Sequence, residues 1–254
     1  MYRLLFRVSA FKNNRINAAY KLKYPNICLP PDEALFETYQ LNYQKFIEDG
    51  KRASIELIEW VSPYLQNNSP CILDWGCGVG RIIRHLQALA PQAILYGCDI
   101  NDTMIDWNKK NYKNIQFQTI GYLPPLPFPP SYFDVIFGMS ILTHIEEKHQ
   151  ENWLASLYKV LKKNGILIIS TQGKFYDKKL IGKEKKILRL NGVYTQMHRQ
   201  KGHQLMATYQ VAQHFVSMIA PYFTILEMYE GIKYPHKIGG QDLWILQKKL
   251  LEKN

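Results

Sequence analysis

The sequence predicts an α/β domain, a mostly parallel sheet wound by right-handed crossovers and preceded by helices. Three observations carry that prediction. From Ser69 to Thr171, short apolar runs bounded by turn residues alternate with amphipathic stretches, the pattern of strand–helix units buried on both sheet faces. A turn with glycines at 76, 78 and 80 joins the first run to the first amphipathic stretch. The next run ends in a carboxylate, Asp99, at the strand edge where open α/β sheets bind ligands.

The elements follow in order. Residues 36–65, FETYQLNYQKFIEDGKRASIELIEWVSPYL, read as two helices broken around Gly50. CILDW (71–75) is a short buried strand. GRIIRHLQALA (80–90) sets Ile83, Leu86 and Ala90 on one helical face and stops at Pro91. AILYGCD (93–99) is a second strand, TMIDWNKKN (103–111) a helix with Thr103 as N-cap, and NIQFQTI (114–120) a third strand. A Pro-rich loop (121–131) leads into the strand FDVIFGMS (133–140). HQENWLASLYKVLKKNG (149–165) is a helix with Trp153, Leu157, Val160 and Leu161 as its stripe, closed by Gly165. ILIIST (166–171) is a fifth strand. Past Thr171 the alternation stops, and 172–205 read as a basic, glycine-punctuated insertion. A helix (208–220), a strand (223–231) and a last strand (242–249) follow, with the loop 233–241 joining an antiparallel pair.

With 46% hydrophobic and 21% charged residues in 254, the chain can bury one large core, which excludes a disordered protein. No apolar run approaches the roughly 18 residues of a membrane span, and Arg7 breaks the only N-terminal one. Cys28, Cys71, Cys77 and Cys98 show no CxxC spacing, so free thiols, a cytoplasmic protein and no metal site are expected. The net charge of +11 is concentrated in two places. Residues 1–30 hold six basic and no acidic side chains, and 172–205 hold nine basic and two acidic. Such segments attract phosphate, anionic lipid or nucleic acid. The expected organisation is a basic N-terminal extension and helix (1–45) followed by one domain (46–254) with the basic insertion at 172–205.

The glycine turn narrows the ligand. A nicotinamide-binding turn needs G-x-G-x-x-G, whereas Arg81 stands where its third glycine would fall. Asp74, two residues before Gly76, would repel a pyrophosphate and suits an ammonium group. Asp99 can accept hydrogen bonds from both hydroxyls of a ribose. Adenosine with a ribose diol and a cationic tail meets these demands, and S-adenosylmethionine is such a molecule.

ILDWGCGVGR, taken with YGCDIND, resembles the class I S-adenosylmethionine-dependent methyltransferase family. LPPLPFPPSYFDVIFGMSILTHI resembles its loop, fourth strand and following turn, particularly in bacterial members with an S-x-x-T-H-[LI] signature associated with glycan and secondary-metabolite pathways. LYKVLKKNGILIIST is similar to the next helix and strand, with Lys163-Asn164-Gly165 where the family usually has Lys-Pro-Gly-Gly, and GGQDLWILQKK resembles the final strand. The resemblance implies a Rossmann-like, seven-stranded, mostly parallel sheet with its last strand antiparallel, plus N-terminal helices. It also implies S-adenosylmethionine as cofactor. Asp74, Gly76, Cys77, Gly78 and Gly80 would then line the methionine end and the turn, and Arg81 would pair with the cofactor carboxylate or with Asp74. Asp99 would hold the ribose, Ile100 and Met104 would lie against adenine, and Gly121 and Tyr122 would meet its edge. Many relatives are acidic at the position of Tyr122. Met139 and Ser140 would sit below the methionine moiety.

The acceptor is less constrained. His144 has two readings: a general base for a hydroxyl nucleophile, or a histidine that bonds the backbone and orders its turn. His198, His203 and Tyr209 are further acceptor-side candidates. Transfer to oxygen, with nitrogen close behind, on a small molecule, glycan or secondary metabolite is expected, the basic segments meeting an anionic group. An RNA methyltransferase is the rival enzyme, with Tyr194, His198 and Tyr209 as stacking surfaces. Against it, the fourth strand ends in FGMS rather than an N/D-Pro-Pro-aromatic motif. A cofactor-binding, non-catalytic partner subunit is the alternative outside enzymology. The N-terminal Leu4, Leu5, Phe6, Val8 and Phe11 belong either to a helix packed on the domain or to one touching an anionic membrane surface.

Overall fold

The computed structural model describes residues 2–197, 206–235 and 239–250. Three helices lead: α1 (Tyr2–Lys23), α2 (Asp32–Thr38) and α3 (Tyr43–Val61). Strands and helices then alternate through β1 (Cys71–Trp75), α4 (Ile83–Leu89), β2 (Ile94–Asp99), α5 (Asp102–Asn111), β3 (Ile115–Thr119), β4 (Phe133–Gly138), α6 (Glu147–Val160) and β5 (Leu161–Thr171). After them come α7 (Gly182–Asn191), β6 (Val193–Gln196), β7 (Ala207–Gln210), α8 (Ala212–Ile219), β8 (Phe223–Tyr229) and β9 (Asp242–Lys248). The main sheet has the order β3-β2-β1-β4-β5-β9-β8, with β9 antiparallel to both neighbours and β1 to β5 paired in parallel. This is the mixed seven-stranded sheet with N-terminal helices that the sequence implies.

Strand periodicity divides the core into two layers. Leu73, Trp75, Ile136, Leu167, Ile169 and Trp244 point to one face, where α6 and α8 supply Trp153, Leu157 and Phe215. Their neighbours Ile72, Val135, Phe137, Ile166, Ile168 and Ile245 point to the other, against Leu57, Trp60, Ile83, Leu86 and Ile105 of α3, α4 and α5. Both faces being covered explains why the strands read as continuous apolar runs. Strand order reverses between β1 and β4, the switch point where such sheets open a crevice.

The N-terminal helices form a third cluster that reaches into the sheet domain. Tyr20, Leu35, Leu41, Tyr43 and Phe46 pack with Val79 of the glycine turn and Met104 of α5. Polar contacts fix the arrangement: Asn42 Oδ1 accepts the Lys45 N–H at 2.9 Å as N-cap of α3, and its amide donates to Asn13 Oδ1 of α1 at 2.9 Å.

Several boundaries depart from the sequence expectation. No helix breaks at Gly50. It lies inside α3, and a side chain there would collide with the backbone carbonyl of Arg81, so the glycine serves close approach rather than a turn. α4 begins at Ile83, after a turn, instead of at Gly80. α6 ends at Val160 instead of Gly165, because β5 already pairs at Leu161↔Phe133 and an irregularity carrying Asn164 (φ 60°) resets the register to Ile166↔Val135. The described part of the basic insertion, 172–197, contains regular structure. α7 packs on β6, β6 pairs antiparallel with β7, and Gln172 bridges to Tyr209 of β7, tying this small sheet to the end of β5.

Candidate active site

The carboxyl ends of β1, β2, β4 and β5 open onto one cavity of about 610 Å³. Its first wall is made by the turns after β1 and β2. The N–H groups of Gly76 and Cys77 donate to the Cys98 carbonyl at 2.8 and 2.9 Å, which clamps the glycine turn onto β2. Gly76, Gly78 and Gly80 all have positive φ (75°, 52° and 71°), a conformation costly for residues with a Cβ. The Gly78 N–H donates to Asp99 Oδ2 at 2.8 Å and the Asn101 N–H to Asp99 Oδ1 at 3.0 Å. Both carboxylate oxygens are therefore oriented by backbone amides. Asn108 Nδ2 donates to the Gly78 carbonyl at 2.7 Å from behind.

Beneath the turn lies Asp74, buried at 5% exposure. Burial pushes its carboxyl up to about 8; the Arg81 guanidinium draws it down, Asp99 raises it, and the Ile83 amide lowers it. Arg81 is itself lowered by burial and held up by Tyr39, Asp74 and Asp49. Its guanidinium stacks 4.7 Å from the centroid of Tyr39, whose hydroxyl donates to Asp49 Oδ2 at 2.6 Å, while Arg52 pairs with Asp49 Oδ1 at 2.7 Å. These partners come from α3 and the turn between α2 and α3, so the N-terminal helices contribute to the cavity wall beside the glycine turn.

The opposite wall gathers residues from distant parts of the chain. Ser140, just past β4, holds φ at 67°, a strained value for a side chain-bearing residue. Its N–H donates to Ser170 Oγ at 2.8 Å, its hydroxyl accepts from Gln241 Nε2 at 2.6 Å, and Ser170 Oγ donates to Gln241 Oε1 at 2.6 Å. These three bonds form a closed polar ring, and Thr143 Oγ1 donates to the Ser140 carbonyl beside it at 2.7 Å. His144 follows on the wall, with Nδ1 2.8 Å from the Met206 carbonyl. Since a carbonyl only accepts, Nδ1 carries the proton, and the ring in its neutral form has its acceptor at Nε2. The backbone bond of a turn-ordering histidine is thus present, and it fixes the tautomer that a base requires.

Of the residues singled out from sequence, Asp74, Gly76, Cys77, Gly78, Arg81, Asp99, Ile100, Met104, Tyr122, Met139, Ser140 and His144 all line this cavity. Gly80 and Gly121 lie off its wall. A side chain at Gly80 would meet Tyr112 and Asn108, so its freedom serves packing of the turn on α5, and Gly121 is exposed between the wall residues Ile120 and Tyr122. Tyr209 is 2% exposed and packs with Leu180 and Leu188 in the small sheet, away from the cavity. His198 and His203 lie outside the described residues. The Cys77 thiol is buried and pushed well above its ordinary range, by burial first and the Asp74 and Asp99 charges next, which leaves it no use as a nucleophile. Sequence reasoning missed Thr38, Tyr39, Arg52, Trp153, Ser170, Tyr176 and Gln241, all on the cavity wall.

The donor set fits an adenosine with a cationic amino-acid tail. One wall offers two carboxylates, Asp74 and Asp99, and the N–H groups of Gly76, Cys77, Gly78 and Gly80 are already used on Cys98, Asp99 and Cys77. Trp153 Nε1 and the Tyr122 hydroxyl, both of residues on the cavity wall, are buried with no hydrogen-bond partner among the described residues. They can serve a bound molecule.

Comparison with known proteins agrees. Residues 72–165 match the family model described as a methyltransferase domain. The chain is similar to malonyl-[acyl-carrier protein] O-methyltransferases of Herminiimonas arsenicoxydans (31% identity over 40% of this chain and 36% of the relative) and Priestia megaterium (27% over 54% and 50%). The matched part thus spans half or less of those relatives. In fold it is similar to a SAM-dependent methyltransferase structure from Methanosarcina mazei, with TM-score 0.60 and 22% identity over 76% of this chain and 98% of that one. The glycine turn, Asp74 and Asp99 fall inside residues 72–165, the region similar to a methyltransferase domain.

Proposed function

We propose that this chain transfers a methyl group from S-adenosylmethionine to an oxygen of an acceptor that carries an anionic group. The observation that carries the proposal is a single cavity walled on one side by Asp74 and Asp99 and on the other by His144. S-adenosylmethionine supplies an electrophilic methyl group on a sulfonium. Asp99, oriented by two amides, holds the ribose diol. Asp74 faces the ammonium and ionises when that charge arrives, and Gly76 leaves the space a side chain would take from Ile141. Ile100, Met104 and Tyr122 flank the adenine.

His144 accepts the acceptor's hydroxyl proton at Nε2, with Nδ1 tethered to Met206. The Ser140–Ser170–Gln241 ring fixes the floor beside it, so nucleophile and methyl meet in line, and holding them there supplies much of the rate. Oxygen is supported by this tautomer and by the two relatives, which are O-methyltransferases by name. The anionic group is supported by Lys174, Lys178 and Lys179. All three are exposed in the same turn as the wall residue Tyr176, and Lys179 Nζ lies 4.5 Å from its ring centroid.

Calorimetric titration with S-adenosylmethionine, followed by labelled-methyl transfer to panels of anionic and neutral hydroxyl acceptors, tests the proposal. Micromolar binding with transfer to anionic acceptors supports it. Absence of binding by folded protein defeats it.

A further inference from the structure

Helix α1 has two apolar faces, and the domain covers only one. Phe6, Ala10 and Tyr20 sit on the cluster shared with α2 and α3, and Asn13 and Asn17 bond Asn42 and Tyr43 at the start of α3. At the helical angle per residue, Leu4, Val8, Phe11, Ala18 and Leu22 fall on the opposite side, in steps of four, three, seven and four. This stripe is in solvent: Leu4 is 66%, Phe11 86% and Leu22 84% exposed. Single exposed apolar residues need no explanation, but a run of them along one line of a helix does.

The charges of α1 are all of one sign. Arg3, Arg7, Lys12, Arg15, Lys21 and Lys23 are its only ionisable residues of acidic or basic type. By the same angular placement, Arg3, Arg7 and Lys21 border the stripe on one side and Lys12 and Lys23 on the other, with Arg15 inside it. Long aliphatic stems let such side chains lie beside apolar surface while their heads reach outward.

We propose that α1 seats this protein on an anionic lipid surface, its outer stripe in the acyl boundary and its cations among the headgroups. A helix with an apolar face bordered by Lys and Arg lies in that interface, and the negative surface potential draws in each cation. Charge decides among occupants. A second copy would set six cations against six, and a nucleic acid leaves the apolar stripe without a partner. A neutral apolar groove leaves the cations unmatched. The seat also bears on the cavity, because the inner face of α1 rests on α2 and α3, whose Thr38, Asp49 and Arg52 line it.

The test is co-sedimentation of the full chain with phosphatidylcholine vesicles, plain or carrying about 30% phosphatidylserine. At least about tenfold tighter binding to the anionic vesicles is expected, falling with salt. Phe11→Glu with Leu22→Glu should weaken it by about tenfold or more while S-adenosylmethionine affinity and melting temperature stay unchanged. A second variant, Arg7→Gln with Lys12→Gln and Arg15→Gln, should reduce the preference for anionic vesicles. Failure of the wild-type protein to bind anionic vesicles at low salt overturns the proposal. So does binding that survives Phe11→Glu with Leu22→Glu, which would assign it to the exposed lysines around Lys174–Lys186. A concentration-dependent dimer abolished by Phe11→Glu would give the stripe to a second copy instead.

Discussion

The two walls of the cavity are built in different ways. The wall carrying Asp74 and Asp99 comes from two consecutive strand–turn units, and the hydrogen bonds of its turns join backbone to nearby backbone, to Asp99 or to Asn108 of the following helix. The wall carrying Ser140 and His144 is assembled from the ends of β4, β5 and β9 and from Met206, joined by side chains. A ligand shared by many proteins can be held by local geometry, which a short motif encodes. An acceptor particular to one protein is met by long-range contacts that are free to vary.

Separating the two walls by mutation would sharpen this contrast. The largest effect is expected from His144→Ala, which should lower kcat by about 100-fold or more with cofactor affinity unchanged. A pH–rate profile that loses its lower limb in the variant would identify the base, and unchanged kcat with a lowered melting temperature would leave the histidine a turn-ordering role. Asp99→Ala should raise the dissociation constant for S-adenosylmethionine by about 10- to 100-fold, from loss of charge-assisted hydrogen bonds. Calorimetry reads this directly, and an unchanged constant would break the ribose assignment.

Asp74→Asn should act in opposite directions on binding and stability. The carboxyl sits at about 8 in the folded protein against an ordinary 3.8. Its folded form therefore holds a proton that the unfolded chain has lost, and the associated stability is complete below about pH 4 and declines as pH rises to about 8. Removing the ionisation should stabilise the unliganded protein by on the order of 1 kcal/mol near pH 8. Cofactor binding should weaken, and the wild-type gain in affinity between about pH 6 and 8 should flatten. Melting curves and titrations across that window check both signs. The smallest effect is expected from Ser170→Ala, about 1 kcal/mol of stability with a modest loss of turnover, because Gln241 still holds the Ser140 hydroxyl.

Much of the sheet was legible because buried parallel strands are apolar runs of fixed length, and the glycine turn because its residues are adjacent. Asp99 was found by its place at a strand end. Gly50 was misread because a glycine that permits close approach and one that ends a helix look alike without the neighbour, here the Arg81 carbonyl. The boundary between α6 and β5 was misplaced because Leu161 continues the helical stripe while pairing with Phe133. Gln241 meets Ser140 across 101 residues, and no local pattern announces such a pair. Thr38, Tyr39 and Arg52 were missed for the same reason, their helices being amphipathic stretches with no mark of which face meets the turn.

The contact between Gly50 and Arg81 keys α3 to the turn like a tooth in a slot. With backbone set directly against backbone, neither segment can shift without the other. Val79, one residue from the turn's central glycine, is embedded in the same cluster as α1 and α2. Ordering the turn with a ligand should therefore slow amide hydrogen exchange across α2 and α3 as well as at the site, and vesicle-bound and free protein should differ in how fast those amides open.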